Sequence, residues 1–599
     1  MFAQWITEEA NAAADIKKTK PIMVVLGNPP YSVNSVNKGK WINELLKDYK
    51  SDLNETKLNL DDDYIKFIRF AQWRIDQTGY GILGFITNNS YLDGITHRRI
   101  REYLLKSFSE IYILNLHGNL RRKENTPENS QDQNVFNVMV GVSIGIFIKN
   151  KDGKPANRIH YADLWGLRDN KYEVLSETSI KSTNWLELTP AKPNYFFTNK
   201  DSAFQNEYFN YYSLKNMFVN YGPSIKTERD KICIHIEKES LITTLNDFLY
   251  KSEEEIRTIY SLDNDSRDWK VSSAKADICN NKLNDDLIFR ITYRPFDDRY
   301  TYFTGKSRGF IGTPGTQVMS HMLSGNNISL ITNRTINTKN VQHFFVSNKL
   351  VDYHVLETAN ATPITFPLYL YPRETKVQKD KSGGREGGTM EPLKLQEKRE
   401  LNLNLDFVNI FSKKLGLKFN EDGKSDLLET FGPEDVFNYA YAVFHSPEYR
   451  SRYVEFLKID FPCLPLTSDK ELFSSLAEKG AVLVALHLME SPLLNNLITK
   501  YPVKGEHLVE KVSYDEKTQR VSINKAQYFE GVPPEVWNFH IGGYQVCEKW
   551  LKDRKGRKRT IDDINHFQKI VVALKETIRL MGEIDQTIEE HGGWPAAFA

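Results

Sequence analysis

Four consecutive residues, Asn28, Pro29, Pro30 and Tyr31, have the types and order needed to hold a planar amino group. They follow the apolar run 22–27, which predicts a buried strand that ends in a turn. An amino group on a purine or an amide is a weak nucleophile because its lone pair is delocalised. The Asn28 side-chain oxygen and the Pro29 carbonyl would each accept a hydrogen bond from one N–H of the amino group. The Tyr31 ring would stack on the base. The purely structural alternative is a Pro-Pro turn capped by a surface aromatic.

The segments after the tetrad alternate between strand and helix patterns. Apolar residues at helical spacing predict helices, and short apolar runs that end in polar turns predict strands. The predicted helices cover 3–17, 61–77 and 96–107, and the predicted strands cover 80–86, 111–116 and the apolar stretch 135–149. This order predicts an open α/β sheet whose site lies at the carboxyl ends of its strands.

The tetrad resembles the catalytic motif of the amino-methyltransferases that use S-adenosylmethionine (SAM). Most members with this spelling are N6-adenine DNA methyltransferases, and a smaller branch methylates glutamine amides in proteins. The order of elements resembles the second half of that Rossmann-like fold. In this resemblance Phe136, within 135–137, corresponds to a later strand where an aromatic faces the flipped base; the alternative for Phe136 is a core residue.

The SAM-binding part of that resemblance is missing. In this class a strand and a glycine loop precede the tetrad, but only 27 residues lie upstream of Asn28, enough for one helix and one strand. Gly79-x-Gly81-x-x-Gly84 spells a dinucleotide fingerprint, yet it enters a strand instead of leaving one. We therefore expect a partial methyltransferase sheet that lacks its first strands and shows little activity alone. A missing N-terminal segment or a separate upstream polypeptide would cover its edge.

Composition sets broad limits on the chain. At 599 residues it has room for about three to four domains. A net charge of +1 leaves any nucleic-acid affinity to local patches. The four cysteines are widely spaced, which excludes a CxxC metal site and fits a reducing cytoplasm. No apolar run approaches the length of a membrane span.

The chain divides into four predicted regions. Residues 1–150 form the partial catalytic domain, and 151–372 form an extension that binds DNA. Residues 373–402, with their glycine, lysine and glutamate content, read as a flexible linker. Residues 403–599 form a C-terminal recognition domain, so mixed α+β regions follow the sheet.

Two basic segments are candidate DNA contacts. In the first, arginines and lysines are mixed with aromatic rings, which suits phosphate contact and base stacking; it holds Arg294, Arg299, Lys306 and Arg308. The second is a run with one acidic residue; it holds Lys549, Lys552, Arg554, Lys555, Arg557, Lys558 and Arg559. The alternatives are a half-buried strand with snorkelling arginines and a solvated charge run.

From residue 21 onwards the chain resembles the C-terminal portion of the type ISP restriction–modification enzymes. The matching phrases are LGNPPYS at 26–32, YRPFDDRY at 293–300, VFNY at 436–439, HSPEYR at 445–450 and GGYQVCEKWL at 542–551. The resemblance implies a site-specific N6-adenine DNA methyltransferase joined to its target-recognition domain, with SAM as cofactor and double-stranded DNA as partner. ATP and Mg²⁺ would be used only with upstream translocase and nuclease domains. The alternatives are an inactive DNA-binding fragment and a protein glutamine methyltransferase.

Overall fold

The computed structural model describes residues 2–18, 20–32, 35–53, 60–122, 124–128, 130–199, 204–323, 326–336, 338, 340–357, 362–371 and 399–599. The chain forms two compact units, Met1–Ser202 and Ala203–Ala599. No helix within the described ranges is long and apolar enough to cross a membrane.

The first unit is a sheet flanked by helices. Its helices are α1 (Phe2–Lys18), α2 (Lys40–Leu45), α3 (Lys47–Lys50), α4 (Asp63–Thr78), α5 (Arg98–Ser107) and α6 (Arg168–Glu177). Its strands are β1 (Val24–Gly27), β2 (Gly81–Asn88), β3 (Glu110–His117), β4 (Val142–Lys149), β5 (Ile159–Asp163) and β6 (Leu186–Leu188).

The six strands are ordered β1-β2-β4-β3-β5-β6. β1 pairs in parallel with β2, with Gly27 opposite Phe85, and β3 pairs in parallel with β5. β4 runs antiparallel to both of its neighbours. The carboxyl ends of β1, β2, β3 and β5 therefore meet the start of β4 at one edge of the sheet. This arrangement confirms the predicted α/β fold, and the placement of a site at this edge remains a prediction.

Amphipathic spacing explains how α4 covers this sheet. Tyr64, Ile65, Ile68 and Ile75 recur on one face and are fully or almost fully buried in the core of the unit. The helix ends at Gly79, whose φ of +87° is the left-handed cap conformation that glycine adopts at low cost.

Two strand predictions need correction. β1 is not buried: Val24 and Leu26 are 54% and 71% exposed, because β1 is the edge strand of the sheet. The apolar stretch 135–149 is a strand only over β4. Before β4, the Asn134 side chain bonds to the backbone at Phe136 and Val140, which takes this segment out of the strand ladder.

The second unit combines small sheets with long helices. Its helices are α7 (Gln205–Asn210), α8 (Leu214–Met217), α9 (Asp230–Cys233), α10 (Lys238–Tyr250), α11 (Glu253–Ile259), α12 (Val271–Asn280), α13 (Thr316–Met319), α14 (Leu405–Leu415), α15 (Pro433–His445), α16 (Pro447–Arg452), α17 (Val454–Leu457), α18 (Lys470–His487), α19 (Pro534–Trp537), α20 (Val546–Lys552) and α21 (Ile561–Glu590).

The strands of this unit are mostly short. They are β7 (Tyr212–Ser213), β8 (Gly222–Pro223), β9 (Ile234–His235), β10 (Ile288–Arg294), β11 (Asp297–Tyr302), β12 (Ser329–Asn333), β13 (Phe344–Ser347), β14 (Leu350–Val351), β15 (Pro363–Pro367), β16 (Tyr369–Leu370), β17 (Glu400–Leu401), β18 (Lys418–Phe419), β19 (Thr430–Phe431), β20 (Cys463–Leu464), β21 (Ser513–Asp515), β22 (Arg520–Ser522), β23 (Tyr528–Glu530), β24 (His540–Ile541) and β25 (Tyr544–Gln545). The two larger sheets are ordered β14-β10-β11-β9 and β13-β12-β15-β8.

Helices α15, α18 and α21 pack together in the core of this unit. α15 and α18 approach so closely that a Cβ at Gly480 would lie 1.9 Å from the Asn438 carbonyl oxygen. Only glycine fits there. α15 ends where Ser446 caps the next helix and Pro447 begins it.

The predicted region boundaries differ in part from the bounds of the two units. The first sheet continues to β6, so the first unit extends beyond the predicted boundary at 150. Most of the predicted linker, 373–398, lies outside the described residues. Its last residues are structured: β17 pairs with β16, and Asn402 is buried. The segment 513–522 forms a hairpin of β21 and β22. The four-region division remains a prediction.

Candidate functional site

The tetrad lies in the turn that leaves β1 at the carboxyl edge of the first sheet. The Asn28 side chain is exposed, Pro29 is buried and Pro30 is exposed. The polar group that the sequence selects therefore faces outward, where a substrate can reach it, and the first proline anchors the turn.

The chain after the tetrad is attached to the start of α4. The Ser32 amide donates to Asp62 Oδ1 at 3.0 Å, and the Asp63 amide donates to the Ser32 carbonyl at 3.2 Å. Lys66 on the same helix donates to the Ser35 hydroxyl at 2.9 Å. These bonds fix the exit of the turn, so the tetrad is supported on both sides.

Tyr31 is half-buried and packs against the core of the first unit. Its hydroxyl is buried without a hydrogen-bond partner in the part of the chain that the structure describes. Burial raises the pKa of Tyr31 to about 12, so the hydroxyl stays neutral across the physiological range. Tyr31 can therefore offer a ring face, but it cannot act as a base at neutral pH.

The turn after β2 lies beside the tetrad at this edge. Asn88 Oδ1 accepts from the Ser90 amide at 2.9 Å, and Asn89 Nδ2 donates to Asn115 Oδ1 at 3.1 Å. The Asn89 amide donates to the Gly141 carbonyl at 2.9 Å, which joins this turn to the residue before β4.

Phe136 lies in the loop before β4 and not in a strand. It is half-buried and packs beside Leu116, Val135 and Val142. The strand order separates β1 and β4 by β2 alone, so the Phe136 loop and the tetrad share one edge at a strand spacing of about 10 Å. The predicted base-stacking role of Phe136 remains a prediction.

A histidine that sequence reasoning did not select lies at the end of β3. His117, with φ of +54°, places Nε2 2.6 Å from Asp163 Oδ1 and Nδ1 3.2 Å from Glu124 Oε1, and its ring stacks on Trp165. Burial alone would lower the pKa of His117, but Asp163 and Glu124 outweigh it and raise that pKa. The His117 ring thus joins the end of β5 to the loop after β3.

Three arginines that the sequence offered as DNA contacts are buried in the second unit. Arg294 pairs with Asp352 at 2.6 Å, Arg554 pairs with Asp297 at 2.7 Å, and Arg559 lies 3.6 Å from Asp563. A phosphate cannot reach a guanidinium that is buried and already paired. In the described structure these three therefore have an internal role in place of the predicted DNA contact. The snorkelling-arginine alternative was given for Arg294 alone, and the solvated charge run given for Arg554 and Arg559 does not describe these buried side chains.

The carboxylates of this cluster respond to the buried arginines. Burial alone would raise the pKa of Asp297, but the Arg554 and Arg299 guanidiniums outweigh it and hold that pKa well below its usual range. Arg299 also lies 3.5 Å from Asp553 and is largely covered. The cluster joins the YRPFDDRY hairpin to the end of α20.

The remaining basic candidates are more accessible. Lys306 and Lys555 are exposed, and Arg308 is exposed beside Asp268 at 3.3 Å. The others carry acidic neighbours: Lys549 with Asp553, Lys552 with Glu548, Arg557 with Glu237 and Lys558 with Glu506. Exposed pairs of this kind are weak and can be exchanged for a phosphate. Their DNA-binding role remains a prediction.

The described residues offer no metal site. They contain no cluster of histidine, cysteine and carboxylate side chains that could hold a metal ion. β1 has β2 as its only partner strand among them, and no glycine loop borders its other side. The residues present therefore do not form a SAM site.

Family models match two parts of the chain. Residues 216–583 match the type ISP C-terminal specificity domain, and residues 3–120 match the Eco57I restriction-modification methylase. No curated protein sequence matches the chain.

Three solved structures share the fold over 96% of this chain. They are the ATP-dependent type ISP restriction-modification enzyme LlaBIII bound to DNA (22% identity, TM-score 0.62), a nuclease-deletion mutant of the type ISP enzyme LlaGI with a DNA substrate mimic (20%, 0.61) and the DrdV–DNA complex (20%, 0.63). The chain spans 38%, 45% and 58% of these three chains. At such identities the likeness establishes the fold.

The specificity-domain match covers more than half of the 599 residues, and the methylase match contains the tetrad. A methylase-like α/β unit precedes the specificity region, as the resemblance implied. The chain belongs to the family defined by the type ISP C-terminal specificity domain.

Proposed function

We propose that this chain is the adenine-methylating and DNA-recognising portion of a restriction–modification enzyme. The observation that carries the proposal is the tetrad, held on both sides at the sheet edge with the Asn28 amide exposed. The match of the same chain to the type ISP specificity domain favours DNA over a protein as the substrate. The methylase family implies SAM as the methyl donor.

The residues of this chain act on the substrate side of the reaction. A target adenine leaves the duplex and its amino group meets the Asn28 oxygen and the Pro29 carbonyl. Both groups accept N–H bonds, which favours a tetrahedral nitrogen with a localised lone pair. The Tyr31 ring packs against the base, with its hydroxyl neutral, and the rigid turn keeps these groups in place.

The methyl donor requires residues that the described chain does not offer. Among the described residues no strand pairs with the outer side of β1, and its Val24 and Leu26 side chains are exposed. Such an edge pairs readily with another strand. We propose that an upstream segment or polypeptide adds a strand here and brings the SAM-binding loop.

The DNA-recognition part is tested by duplex binding. A pool of genomic duplex fragments is titrated with the chain at increasing salt. We expect the logarithm of the affinity to fall steeply with the logarithm of salt between about 50 and 200 mM, because each phosphate contact releases counterions. The absence of binding, or binding that ignores salt, would contradict the proposal.

A second candidate is a chain that binds DNA without methylating it alone. The unpaired outer side of β1 favours this candidate. SAM binding to the isolated chain, measured by calorimetry, separates the two: micromolar affinity would show a complete donor site in this chain. No SAM binding, with methylation restored by an upstream SAM-binding polypeptide, would support assembly of the site from two parts.

A further inference from the structure

The loop that carries Phe136 is closed by the Asn134 side chain. Asn134 Nδ2 donates to the Val140 carbonyl at 2.6 Å and to the Gly118 carbonyl at 2.9 Å. Asn134 Oδ1 accepts from the Phe136 amide at 2.8 Å. One buried asparagine thus ties the two ends of the 134–140 loop together and sets the direction in which the chain enters it.

Helix α6 holds the backbone of this loop from outside. Lys171 Nζ donates to the Gln133 carbonyl at 2.7 Å, and the Tyr172 hydroxyl donates to the Val135 carbonyl at 2.5 Å. Arg168 donates through Nε to the Asn134 carbonyl at 2.7 Å and through Nη2 to the Phe136 carbonyl at 3.1 Å. Four successive carbonyls therefore accept hydrogen bonds from three side chains of one helix.

The centre of this arrangement is a completely buried ion pair. The Lys171 and Asp132 side chains are both 0% exposed and lie 2.7 Å apart. Asp132 also accepts from the Gly166 amide at 2.8 Å, and Lys171 also donates to the Leu116 carbonyl at 2.7 Å. Buried ion pairs contribute little net stability compared with apolar packing, but they demand one geometry. This pair ties the start of α6 to the loop and to the end of β3.

The 134–140 loop lies beside the turn that follows β2. A Cβ at Gly141 would lie 2.5 Å from Asn89 Nδ2, so the end of the loop is pressed against the turn after β2. β2 is the strand next to β1, which carries the tetrad. Two strand spacings, about 10 Å, separate β1 from β4, so the Phe136 loop and the tetrad lie at the same edge of the sheet.

We propose that Arg168, Lys171 and Tyr172 are positioning residues that hold Phe136 in place to stack on the extruded adenine. This inference rests on the proposed function. α6 would then act on catalysis through loop geometry and not through contact with the reacting atoms.

The first test measures the loop in the full chain without any substrate. The variants Arg168→Met and Tyr172→Phe each remove donors from partly exposed side chains, and Lys171→Met/Asp132→Asn removes both buried charges together. We expect amide hydrogen exchange in peptides covering 133–141 to accelerate at least tenfold in Arg168→Met and in the double variant, and less in Tyr172→Phe. Glu173→Gln, an exposed change on the same helix, is the matched control and should leave exchange unaltered. Unchanged exchange in Arg168→Met would overturn the proposal.

The second test measures methylation of genomic duplex fragments by the chain together with an upstream SAM-binding polypeptide. Arg168→Met should lower kcat roughly tenfold to a hundredfold, as expected when a reacting group is displaced by about 1 Å. The duplex Kd should stay within about twofold of wild type, because the loop does not recognise DNA outside the flipped base. Arg168→Lys, which keeps one donor, should recover part of kcat.

The outcomes separate the positioning role from the function on which it rests. A loosened loop with unchanged kcat would overturn the positioning role and leave the proposed function intact. Absence of adenine methylation in the wild-type pair would overturn both, and the exchange measurement would still report whether α6 holds the loop.

Discussion

In the first unit Asn28 is exposed at the end of β1, whereas in the second unit Arg294 and Arg554 are buried against carboxylates. Both sets belong to motifs that suggested contact with substrate or nucleic acid. The first set follows a strand at the carboxyl edge of a sheet, where side chains face solvent. The second belongs to a hairpin that Asp297 joins to the end of α20 and that Asp352 joins to the segment after β14. A residue type at a motif position indicates its chemistry, but its exposure decides whether it acts on a partner or on its own fold.

We expect the largest effect from Asn28→Ala, tested with an upstream SAM-binding polypeptide present. We expect adenine methylation to fall by a hundredfold to a thousandfold, the usual size for removal of one oriented polar group from a reaction site. The melting temperature should not change because the side chain is exposed, and duplex binding should survive because Asn28 contacts only the flipped base. Asn37→Ala, another exposed asparagine, is the control. Unchanged methylation in Asn28→Ala would refute the role of the tetrad.

Arg554→Met tests the opposite half of the comparison. The change leaves the buried Asp297 with Arg299 as its remaining partner. We expect the free energy of local unfolding to fall by about 3 kcal/mol, since breaking a buried ion pair leaves an incompletely compensated charge. Hydrogen exchange of the β10 and β11 amides measures this loss. A double variant, Arg554→Met/Asp297→Asn, should lose less than the sum of the two single changes.

The His117 site of the first unit predicts a pH dependence. Its folded pKa is raised by Asp163 and Glu124, so its contribution to stability is complete below the unfolded pKa of about 6.5. That contribution is lost as the pH rises through the folded pKa. We expect protection of residues 117–122, corrected for intrinsic exchange rates, to decrease by roughly 1–2 kcal/mol towards pH 9. In His117→Gln this decrease should disappear; an equal decrease there would assign it to another group.

The exposed lysines of the basic run should behave unlike Arg554. Lys552→Ala, Lys555→Ala and Lys558→Ala should each weaken duplex binding severalfold and reduce the salt slope by about one if each contacts a phosphate. Melting temperatures should stay constant. Lys517→Ala, an exposed lysine of the β21–β22 turn, is the matched control. Loss of stability without loss of duplex affinity would show that these lysines support the fold, as Arg554 does, and do not contact DNA.

The smallest expected effect is that of Tyr31→Phe. The Tyr31 hydroxyl is buried without a partner among the described residues, so its removal should leave stability unchanged or raise it by less than about 1 kcal/mol. Methylation should persist because the ring remains, and its pH profile should not shift since the pKa of about 12 lies above the working range. Tyr31→Ala should lose methylation. A large loss in Tyr31→Phe would give the hydroxyl a chemical role.

Some features of the fold and the site follow from local sequence, and others depend on distant residues. The tetrad and its strand are adjacent in sequence, so local pattern is sufficient to place Asn28 at a strand end. The cluster around Asp297 depends on Arg554, 257 residues away, and pairing at that distance leaves no local pattern. Lys171 and Arg168 lie in an ordinary polar helix, and their importance appears only when their carbonyl acceptors are located. β1 lies at the edge of the described sheet, although its apolar sequence resembles that of a buried strand, because edge position depends on pairing that local sequence does not record.

The contact at Gly480 has a consequence for engineering. Because α18 meets α15 backbone to backbone, neither helix can be shifted to suit a foreign neighbour. A chimera that imports one of them from a relative should therefore express poorly, even when every imported side chain is compatible. Exchange of recognition modules between relatives should succeed when 433–487 is transplanted as a single block.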